Sequence, residues 1–224
     1  MWAWALLPVS LFLLGTIGFW AVYGIAVSNN SVNLTVEFPY ISTCGSYTPQ
    51  SCYFAQILNV GAFLVIWICL VRYQQIKDYE RHSRLNTASL VLGFISAIGI
   101  SVVGNFQQTV LLGVHMFGAF LAFFIGLAYF WIQVYLTFKV KLNHGGKWIG
   151  TTRTFLCIIC TILIISMAVL HKTGSRSAAA GCEWLAAMTF FMLFASFAVE
   201  FRHVEQHSYH VMHKEVDTTM SVTL

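Results

Sequence analysis

Residues 114–138 read VHMFGAFLAFFIGLAYFWIQVYLTF, a run of 25 residues without Asp, Glu, Lys or Arg. A helix of about 20 apolar residues crosses the hydrocarbon core of a bilayer, so this stretch is long enough to span a membrane. Five further stretches of the chain have the same character. The six predicted spans are Trp4–Val27, Phe54–Tyr73, Leu85–Val103, Val114–Phe138, Arg153–Leu170 and Ser177–Phe201. Each must be helical, because a helix satisfies its own backbone hydrogen bonds inside lipid.

The composition agrees with a membrane protein and leaves no room for a large soluble domain. Apolar residues make up 58% of the 224 residues and charged residues only 9%, whereas a soluble domain carries roughly 25% charged residues. The longest connections outside the spans are the loop 28–53 and the tail 202–224. We therefore predict an all-α integral membrane protein with one domain over residues 1–224 and six transmembrane helices in one bundle.

The basic residues predict how the bundle is oriented. Ten of the twelve Lys and Arg residues lie in or beside the second connection, the fourth connection and the tail, and only Lys172 and Arg176 lie on the other side. The ten are Arg72, Lys77, Arg81, Arg84, Lys139, Lys141, Lys147, Arg153, Arg202 and Lys214. Basic connections stay in the cytosol, so both termini are predicted to be cytosolic. The net charge of +4 reflects this topology rather than a nucleic-acid-binding surface.

The loop 28–53 carries features of a lumenal or extracellular segment. Asn29 and Asn33 each begin an Asn-x-Ser/Thr acceptor sequence for N-glycosylation, although Asn29 lies close to the membrane. Cys44 and Cys52 would face an oxidising compartment, and the seven residues between them include Gly45 and Pro49. A bridged turn is therefore feasible, and two unpaired thiols are the alternative.

Four polar residues lie at the predicted lumenal ends of the spans. Asn105 and Gln107 follow the third span, His115 opens the fourth, and Glu183 lies about two turns into the sixth. A carboxylate at that depth is costly unless it is paired or hydrogen-bonded. We predict a polar cluster that joins spans three, four and six. Its role is either structural, through hydrogen bonds between helices, or one of binding or proton sensing, since histidine titrates in the endosomal range.

The sequence favours neither a redox enzyme nor a cofactor protein. Cys157 and Cys160 resemble a redox pair, but they lie near the cytosolic end of span five, most of a bilayer away from Cys44 and Cys52. A diheme protein would need paired axial histidines on facing helices, whereas only His115 and His171 lie near span ends. We predict no catalytic residue, no metal site and no cofactor.

The tail contains two short patterns. Its histidines, which are His203, His207, His210 and His213, would share one face of a helix, but they do not complete a defined metal-site pattern. Tyr209 and Met212 form the ends of a Tyr-x-x-apolar pattern, which clathrin adaptors bind as an extended peptide. A clathrin adaptor is therefore a candidate partner, while a solvated helix beside the membrane is the plainer interpretation.

Several of these segments together resemble one family. They are Phe38-Pro39-Tyr40-Ile41-Ser42 before the Cys44–Cys52 turn, Gly104-Asn105-Phe106-Gln107, His115, and Cys182-Glu183-Trp184. In this order, over nearly the whole chain and with six spans, they resemble the family that unites damage-regulated autophagy modulators, transmembrane-150 proteins and yeast Sfk-type proteins. The short first loop with its cysteine pair is most similar to the transmembrane-150 group.

The resemblance implies a regulatory function rather than catalysis, and it implies no catalytic residue. It predicts a modulator of macroautophagy and of cell survival under stress, located in plasma, endosomal and autophagosomal or lysosome-related membranes. Its partners would be the bilayer and membrane or cytosolic proteins, and no nucleic acid. Two alternatives come from other branches of the family. They are a modulator or subunit of a mechanosensitive cation channel and a scaffold that recruits a phosphatidylinositol 4-kinase complex.

Overall fold

The computed structural model describes residues 3–80, 83–140 and 146–204. Its described residues contain six helices that are long and apolar enough to cross a membrane, and they contain no β-strand. The spans are Ala3–Ser28, Gln50–Tyr79, Arg84–Asn105, Leu112–Val140, Lys147–Lys172 and Arg176–Phe201. The predicted all-α, six-span architecture is therefore confirmed.

The observed helices extend beyond their predicted apolar cores. The second span was predicted over 54–73, but its helix runs over Gln50–Tyr79, and Ile76 in the added part is fully buried. The fifth was predicted from Arg153, but its helix covers Gly146–Lys172. Hydropathy detects the part of a helix that lies in hydrocarbon, whereas backbone hydrogen bonding continues into the interfacial region.

Three spans contain local departures from a regular α-helix. The first begins with a 3₁₀ turn at Ala3–Ala5 before the α-helix Leu6–Ser28. The fourth consists of Leu112–Phe120, a π-helical segment at Leu121–Ile125, and Gly126–Val140. The sixth consists of Arg176–Ala195 and a final turn at Ala198–Phe201. Outside the spans, the connection between spans one and two, which we call loop one, folds into a short helix at Ile41–Cys44.

The six spans pack in chain order around the bundle. Each span contacts the next one along the chain, and the first closes the ring against the sixth. The sixth span is the most enclosed, since 50% of the residues in its most apolar stretch are buried, whereas the corresponding share in the fifth is only 17%. Side chains on the sixth span can therefore meet residues from nearly every other helix.

We name the two ends of the bundle by their contents. The loop-one end carries loop one, and the basic end carries the opposite ends of the helices, where Arg72 and Arg153 lie. Aromatic rings fill the interior towards both ends. In the larger core cluster, Phe130 stacks on Phe197 and meets Phe194 edge to face. Phe19, Phe54 and Trp184 belong to the cluster below loop one. The cytosolic location of the basic end stays a prediction.

Spans three and four approach each other unusually closely. A methyl group added to Gly99 would lie 2.6 Å from the backbone nitrogen of Ala122, and one added to Gly118 would lie 2.7 Å from Val102. Only glycine permits this approach, because its backbone carries no side chain. Spans three and four are therefore tightly packed at this glycine pair. Ser96 then donates a hydrogen bond to the carbonyl of Ala122 in the π-helical segment (3.2 Å).

Candidate functional site

The most polar part of the interior is an ionic cluster at the basic end. Arg72 of span two, Arg153 of span five and Glu200 of span six meet there. Nη1 of Arg72 and Nη1 of Arg153 each donate to Oε1 of Glu200 at 3.1 Å, and Nη2 of Arg153 donates to Oε2. Both guanidinium groups are fully buried, and Glu200 is 1% exposed.

Neutral groups satisfy much of the remaining hydrogen-bonding capacity of the two arginines. Nε of Arg72 donates to Gln133 (2.9 Å), and Nε of Arg153 donates to Ser196 (2.8 Å). Thr137 accepts from both guanidinium groups, at 3.1 and 2.9 Å. Gln133 in turn donates to Ser89 of span three (3.0 Å). The ionic cluster therefore connects five of the six spans.

The ionic cluster contains one more positive than negative group, because two guanidinium ions face one carboxylate. The ring of Phe197 lies against both, with its centroid 5.2 Å from Cζ of Arg72 and 4.4 Å from Cζ of Arg153. The face of an aromatic ring attracts a cation, most strongly where water is excluded. Phe197 thus stabilises the positive charge that Glu200 leaves uncompensated.

Sequence reasoning missed this cluster. Arg72 and Arg153 served only as markers of cytosolic connections, and Glu200 was not considered as a charge. The signal was present, because an acidic residue within an apolar span requires a buried partner. The partners lie 128 and 47 positions away along the chain, so the sequence alone does not identify them.

The second polar region lies at the loop-one end and involves Glu183. Its Oε2 accepts a hydrogen bond from the backbone N–H of Ile41 at 2.7 Å, and its residue is 9% exposed. The indole of the adjacent Trp184 donates to the carbonyl of Pro39 (3.1 Å). The backbone N–H of Phe38 donates to the hydroxyl of Ser177 (3.0 Å). Span six therefore holds the segment Phe38–Ile41 against the bundle.

Side chains on the rim strengthen the docking of loop one. Glu37 pairs with Arg176 at 3.0 Å in a partly exposed position, and the hydroxyl of Tyr40 hydrogen-bonds to Nδ1 of His171 at 2.9 Å. Burial, together with the nearby Glu183 carboxylate, raises the pKa of the Tyr40 phenol above its ordinary value. The same two causes raise the pKa of the Cys44 thiol to about 12, so that thiol stays protonated at neutral pH.

The four residues predicted to form one lumenal cluster have separate partners. Glu183 binds loop one, and Nδ1 of His115 donates to the carbonyl of Phe106 at 2.7 Å. Asn105 exchanges hydrogen bonds with Asn59 of span two, at 3.1 and 3.0 Å. Within residues 3–80, 83–140 and 146–204 no hydrogen bond joins Asn105, Gln107, His115 and Glu183 to one another. His115 contacts the segment that carries Asn105 and Gln107 through the carbonyl of Phe106, and a common role for the four residues stays a prediction.

Loop one also contains the predicted disulfide and the two predicted glycosylation sites. Cys44 is buried, Cys52 is exposed, and both thiols are free in this structure, so the predicted bridge between them is not formed here and stays a prediction. Each sequon asparagine accepts hydrogen bonds from the backbone N–H and the hydroxyl two residues on. The amide nitrogen of Asn29 also donates to Gln50 (2.8 Å). Asn33 is thus the freer acceptor for a glycan.

Two further predictions concern residues away from these regions. Cys157 and Cys160 are fully buried in the core, which suits small apolar packing residues. Tyr209 and Met212, the proposed adaptor motif, lie outside the described residues, as do three of the four tail histidines.

Comparison with known proteins matches the sequence to a family. The family model described as the Frag1/DRAM/Sfk1/Cwh43P N-terminal domain matches residues 3–204. The chain belongs to the Frag1/DRAM/Sfk1/Cwh43P family. The resemblance predicted from the loop and span-end segments is therefore confirmed. All residues of the ionic cluster, and Glu183, lie inside the matched region. No solved structure matches the chain significantly.

Relatives within the family indicate the branch to which the chain is most similar. The protein named Modulator of macroautophagy TMEM150B from Danio rerio is 62% identical over 207 residues, which cover 92% of this chain and 89% of the relative. The Homo sapiens protein of the same name is 48% identical, with the same coverage. Transmembrane protein 150A from Xenopus laevis is 34% identical over 91% of this chain and 86% of its own length.

Proposed function

We propose that this chain is a non-enzymatic, multi-pass membrane modulator of macroautophagy and of cell survival under stress. The observation that carries the proposal is the 62% and 48% identity to proteins named modulators of macroautophagy, over 92% of the chain in both comparisons. The family model matches residues 3–204, so the bundle and both of its polar regions fall within the family domain.

The ionic cluster supports a role in holding the bundle together rather than in chemistry. Its two arginines and its carboxylate bond to each other, and the arginines also bond to neighbouring helices. Both carboxylate oxygens of Glu200 are therefore occupied by the arginines. A reactive carboxylate would instead point towards a space that a substrate can enter. We infer that the ionic cluster fixes the relative positions of spans two, four, five and six.

The proposed sites of action are the plasma membrane and endosomal and autophagosomal membranes. With the basic end in the cytosol, the tail and the basic connections would be available to cytosolic partners. A clathrin adaptor that binds at Tyr209 and Met212 would supply the route between these membranes.

The test is an autophagosome count in cells that lack the endogenous protein. Re-expression of the wild-type chain should change the number of autophagosomes, both with and without an inhibitor of lysosomal degradation, which separates formation from clearance. An unchanged count with protein present in the expected membranes would contradict the proposal. Tyr209→Ala, compared with His207→Ala as a neighbouring control, should raise the surface fraction if the adaptor motif operates.

A further inference from the structure

A polar cleft lies at the basic end of the bundle, where span two ends and span three begins. Side chains from Tyr73 to Glu80 form one wall, and side chains from Ser83 to Thr87 form the other. We call it the span two–three cleft, and the residues of the ionic cluster do not line it. Its volume is about 480 Å³, well above the roughly 150 Å³ of a cavity that holds one benzene molecule. A six-membered ring with a phosphate group therefore has room in it.

Two basic side chains of the span two–three cleft have no acidic partner among the described residues. Lys77 and Arg84 are both exposed, and neither takes part in an ion pair between described residues. Glu80 also lines the cleft, but Nζ of Lys139 donates to its carboxylate at 2.8 Å. The neighbouring Asp78 is not part of the wall. Two positive charges of the cleft therefore remain without a counter-charge in its wall.

The start of span three adds hydrogen-bond donors to these charges. Ser83 is the N-cap of this helix, and its hydroxyl accepts from the backbone N–H of Asn86 at 3.4 Å. The first N–H groups of a helix have no partner within it, and the helix dipole places partial positive charge there. Helix N-termini accordingly bind phosphate groups. Arg84, in the first turn, can contact two oxygens of one phosphate, and Lys77 supplies a point charge from the opposite wall.

A buried acceptor in the wall of the cleft has no hydrogen-bond partner. Asn86 is 2% exposed, and its Nδ2 donates to the carbonyl of Tyr73 at 2.8 Å, which fixes the orientation of the amide. Its Oδ1 then receives no hydrogen bond from the described residues, and an unsatisfied buried acceptor is costly. The oxygens of a phosphate dianion cannot donate to it. The missing donor is therefore a hydroxyl group beside the phosphate.

The depth of the cleft indicates that the ligand is a membrane lipid. The helix of span two has 30 residues, which is about 45 Å at 1.5 Å per residue. It is longer than the hydrocarbon core of about 30 Å, so its end reaches the head-group region. On span three, Val91 and Ile98 follow Arg84 at intervals of seven residues and thus lie on the same helix face. Both are more than half exposed, so acyl chains can lie against them in the bilayer.

We propose that the span two–three cleft binds the phosphorylated polyol head group of a membrane lipid. A phosphomonoester of the head group contacts Lys77, Arg84 and the start of span three, and a hydroxyl of the polyol donates to Oδ1 of Asn86. The acyl chains remain in the bilayer beside Val91 and Ile98. A phosphomonoester carries nearly two negative charges at neutral pH, which matches the two positive charges of the cleft. A phosphodiester carries only one.

The test is native mass spectrometry of the purified full-length protein in detergent, titrated with one lipid at a time, so it does not depend on the proposed role in macroautophagy. Phosphatidylinositol monophosphate supplies both the phosphomonoester and the hydroxyl groups. Phosphatidic acid supplies only the phosphomonoester, and phosphatidylinositol supplies hydroxyl groups without it. The first lipid should bind at least about fivefold more tightly than either of the others, as expected from one hydrogen bond or one charge contact.

A soluble competitor distinguishes a lipid from a free polyol phosphate. Inositol bisphosphate carries the same polar groups without acyl chains, so it should displace phosphatidylinositol monophosphate only at concentrations at least about tenfold higher than those of the lipid itself, because it lacks the apolar contacts. Displacement at equal concentration would overturn the assignment to a membrane lipid.

Variants of single residues locate the site. Lys77→Gln and Arg84→Gln should each weaken binding of phosphatidylinositol monophosphate by about fivefold. The matched control is Lys147→Gln, which removes an exposed basic side chain at the same end of the bundle but outside the cleft, and it should have little effect. Asn86→Ala should remove the preference over phosphatidic acid and leave binding of phosphatidic acid unchanged.

Several outcomes would overturn the proposal. Equal binding of the three lipids would remove the assigned head group. An equal loss in Lys147→Gln and in both cleft variants would mean that the general positive charge of the basic end attracts the lipid. The unfolding temperature of each variant without lipid identifies misfolding. If Asn86→Ala misfolds, Asn86→Asp replaces it, and its negative charge should weaken binding of both phosphomonoester lipids. Unchanged binding in that variant would contradict the site.

Discussion

The two buried glutamates of span six have different kinds of partner. Glu200, at the basic end, pairs with two fully buried arginines, one from span two and one from span five. Glu183, at the loop-one end, has a backbone N–H from loop one and an apolar cavity beside it. At the basic end the charges pair within the protein. At the loop-one end there is space beside the carboxylate for a ligand.

A buried carboxylate is therefore not sufficient to indicate a binding site. What differs is whether the protein supplies the counter-charge. At the basic end the arginines come from different helices, so their binding to Glu200 also determines helix packing. At the loop-one end the partner is a segment of the loop, which can move without separating the spans.

Removal of the charge on Glu200 should have the largest effect on stability. Glu200→Gln leaves two buried guanidinium groups without a carboxylate, and loss of one partner from a buried ion pair costs about 3–5 kcal/mol. Chemical unfolding of purified protein in detergent, followed by tryptophan fluorescence, would measure the loss.

The matched control is Glu80→Gln at the exposed pair between Glu80 and Lys139, which is 2.8 Å long and lies on the surface. That pair is screened by solvent, and its loss should leave the unfolding midpoint close to that of the wild type. If both variants unfolded at the wild-type midpoint, the ionic cluster would not stabilise the bundle.

A smaller loss is expected at the loop-one end. Glu183→Ala removes the acceptor for the buried N–H of Ile41, and an unsatisfied buried donor costs about 1–3 kcal/mol. Glu183→Gln should cost less, since its amide oxygen still accepts. Hydrogen exchange should show faster exchange of residues 38–44 in the alanine variant and little change in spans two and five. If residues 38–44 were as well protected in both variants as in the wild type, Glu183 would not hold the loop.

The thiol of Cys44 reports on the same loop through its reactivity. Its pKa is raised to about 12, so at pH 7 roughly one thiol in 10⁵ is ionised, and only the thiolate reacts with maleimides. In the reduced wild-type protein, exposed Cys52 should be labelled and Cys44 should not. Glu183→Ala should increase labelling of Cys44. If the predicted bridge forms in cells, neither thiol reacts before reduction.

The raised pKa also gives a direction for pH dependence. The folded loop favours the neutral thiol of Cys44. The stability that this neutral thiol contributes is therefore complete below the ordinary cysteine pKa of 9.0. That contribution is lost as the pH rises towards 12. Cys44→Ser should remove this alkaline loss of loop protection, and an unchanged pH profile in that variant would assign the loss to another group.

The sequence predicts the six spans well, because apolar length alone identifies them. It places their ends less well, as the helix at Gln50–Tyr79 shows, because polar residues in the membrane interface remain helical. The order of spans around the bundle depends on packing between distant segments. The apolar pattern does not encode that order in any one stretch.

The residues of the candidate sites also differ in how well the sequence predicts them. Glu183 stands out in the sequence, since a carboxylate two turns into an apolar span is unusual. Its partner Ile41 does not, because the contact is made by a backbone N–H that every residue except proline possesses. Arg72 and Arg153 resemble ordinary flanking charges until the fold shows that both side chains are fully buried. The cavity depends on side-chain packing and has no signature in the sequence.

The smallest predicted effect concerns the rim of loop one, and it sharpens the contrast with the ionic cluster. Glu37 and Arg176 lie 3.0 Å apart, but their side chains are 34% and 55% exposed. Exposed pairs contribute roughly 0–1 kcal/mol and weaken with salt. Arg176→Gln should therefore slightly increase hydrogen exchange of residues 37–40 at low salt, and the difference from wild type should vanish in high salt. A loss as large as that of Glu183→Ala, insensitive to salt, would show that the rim holds the loop and that the carboxylate beneath it is free for a ligand.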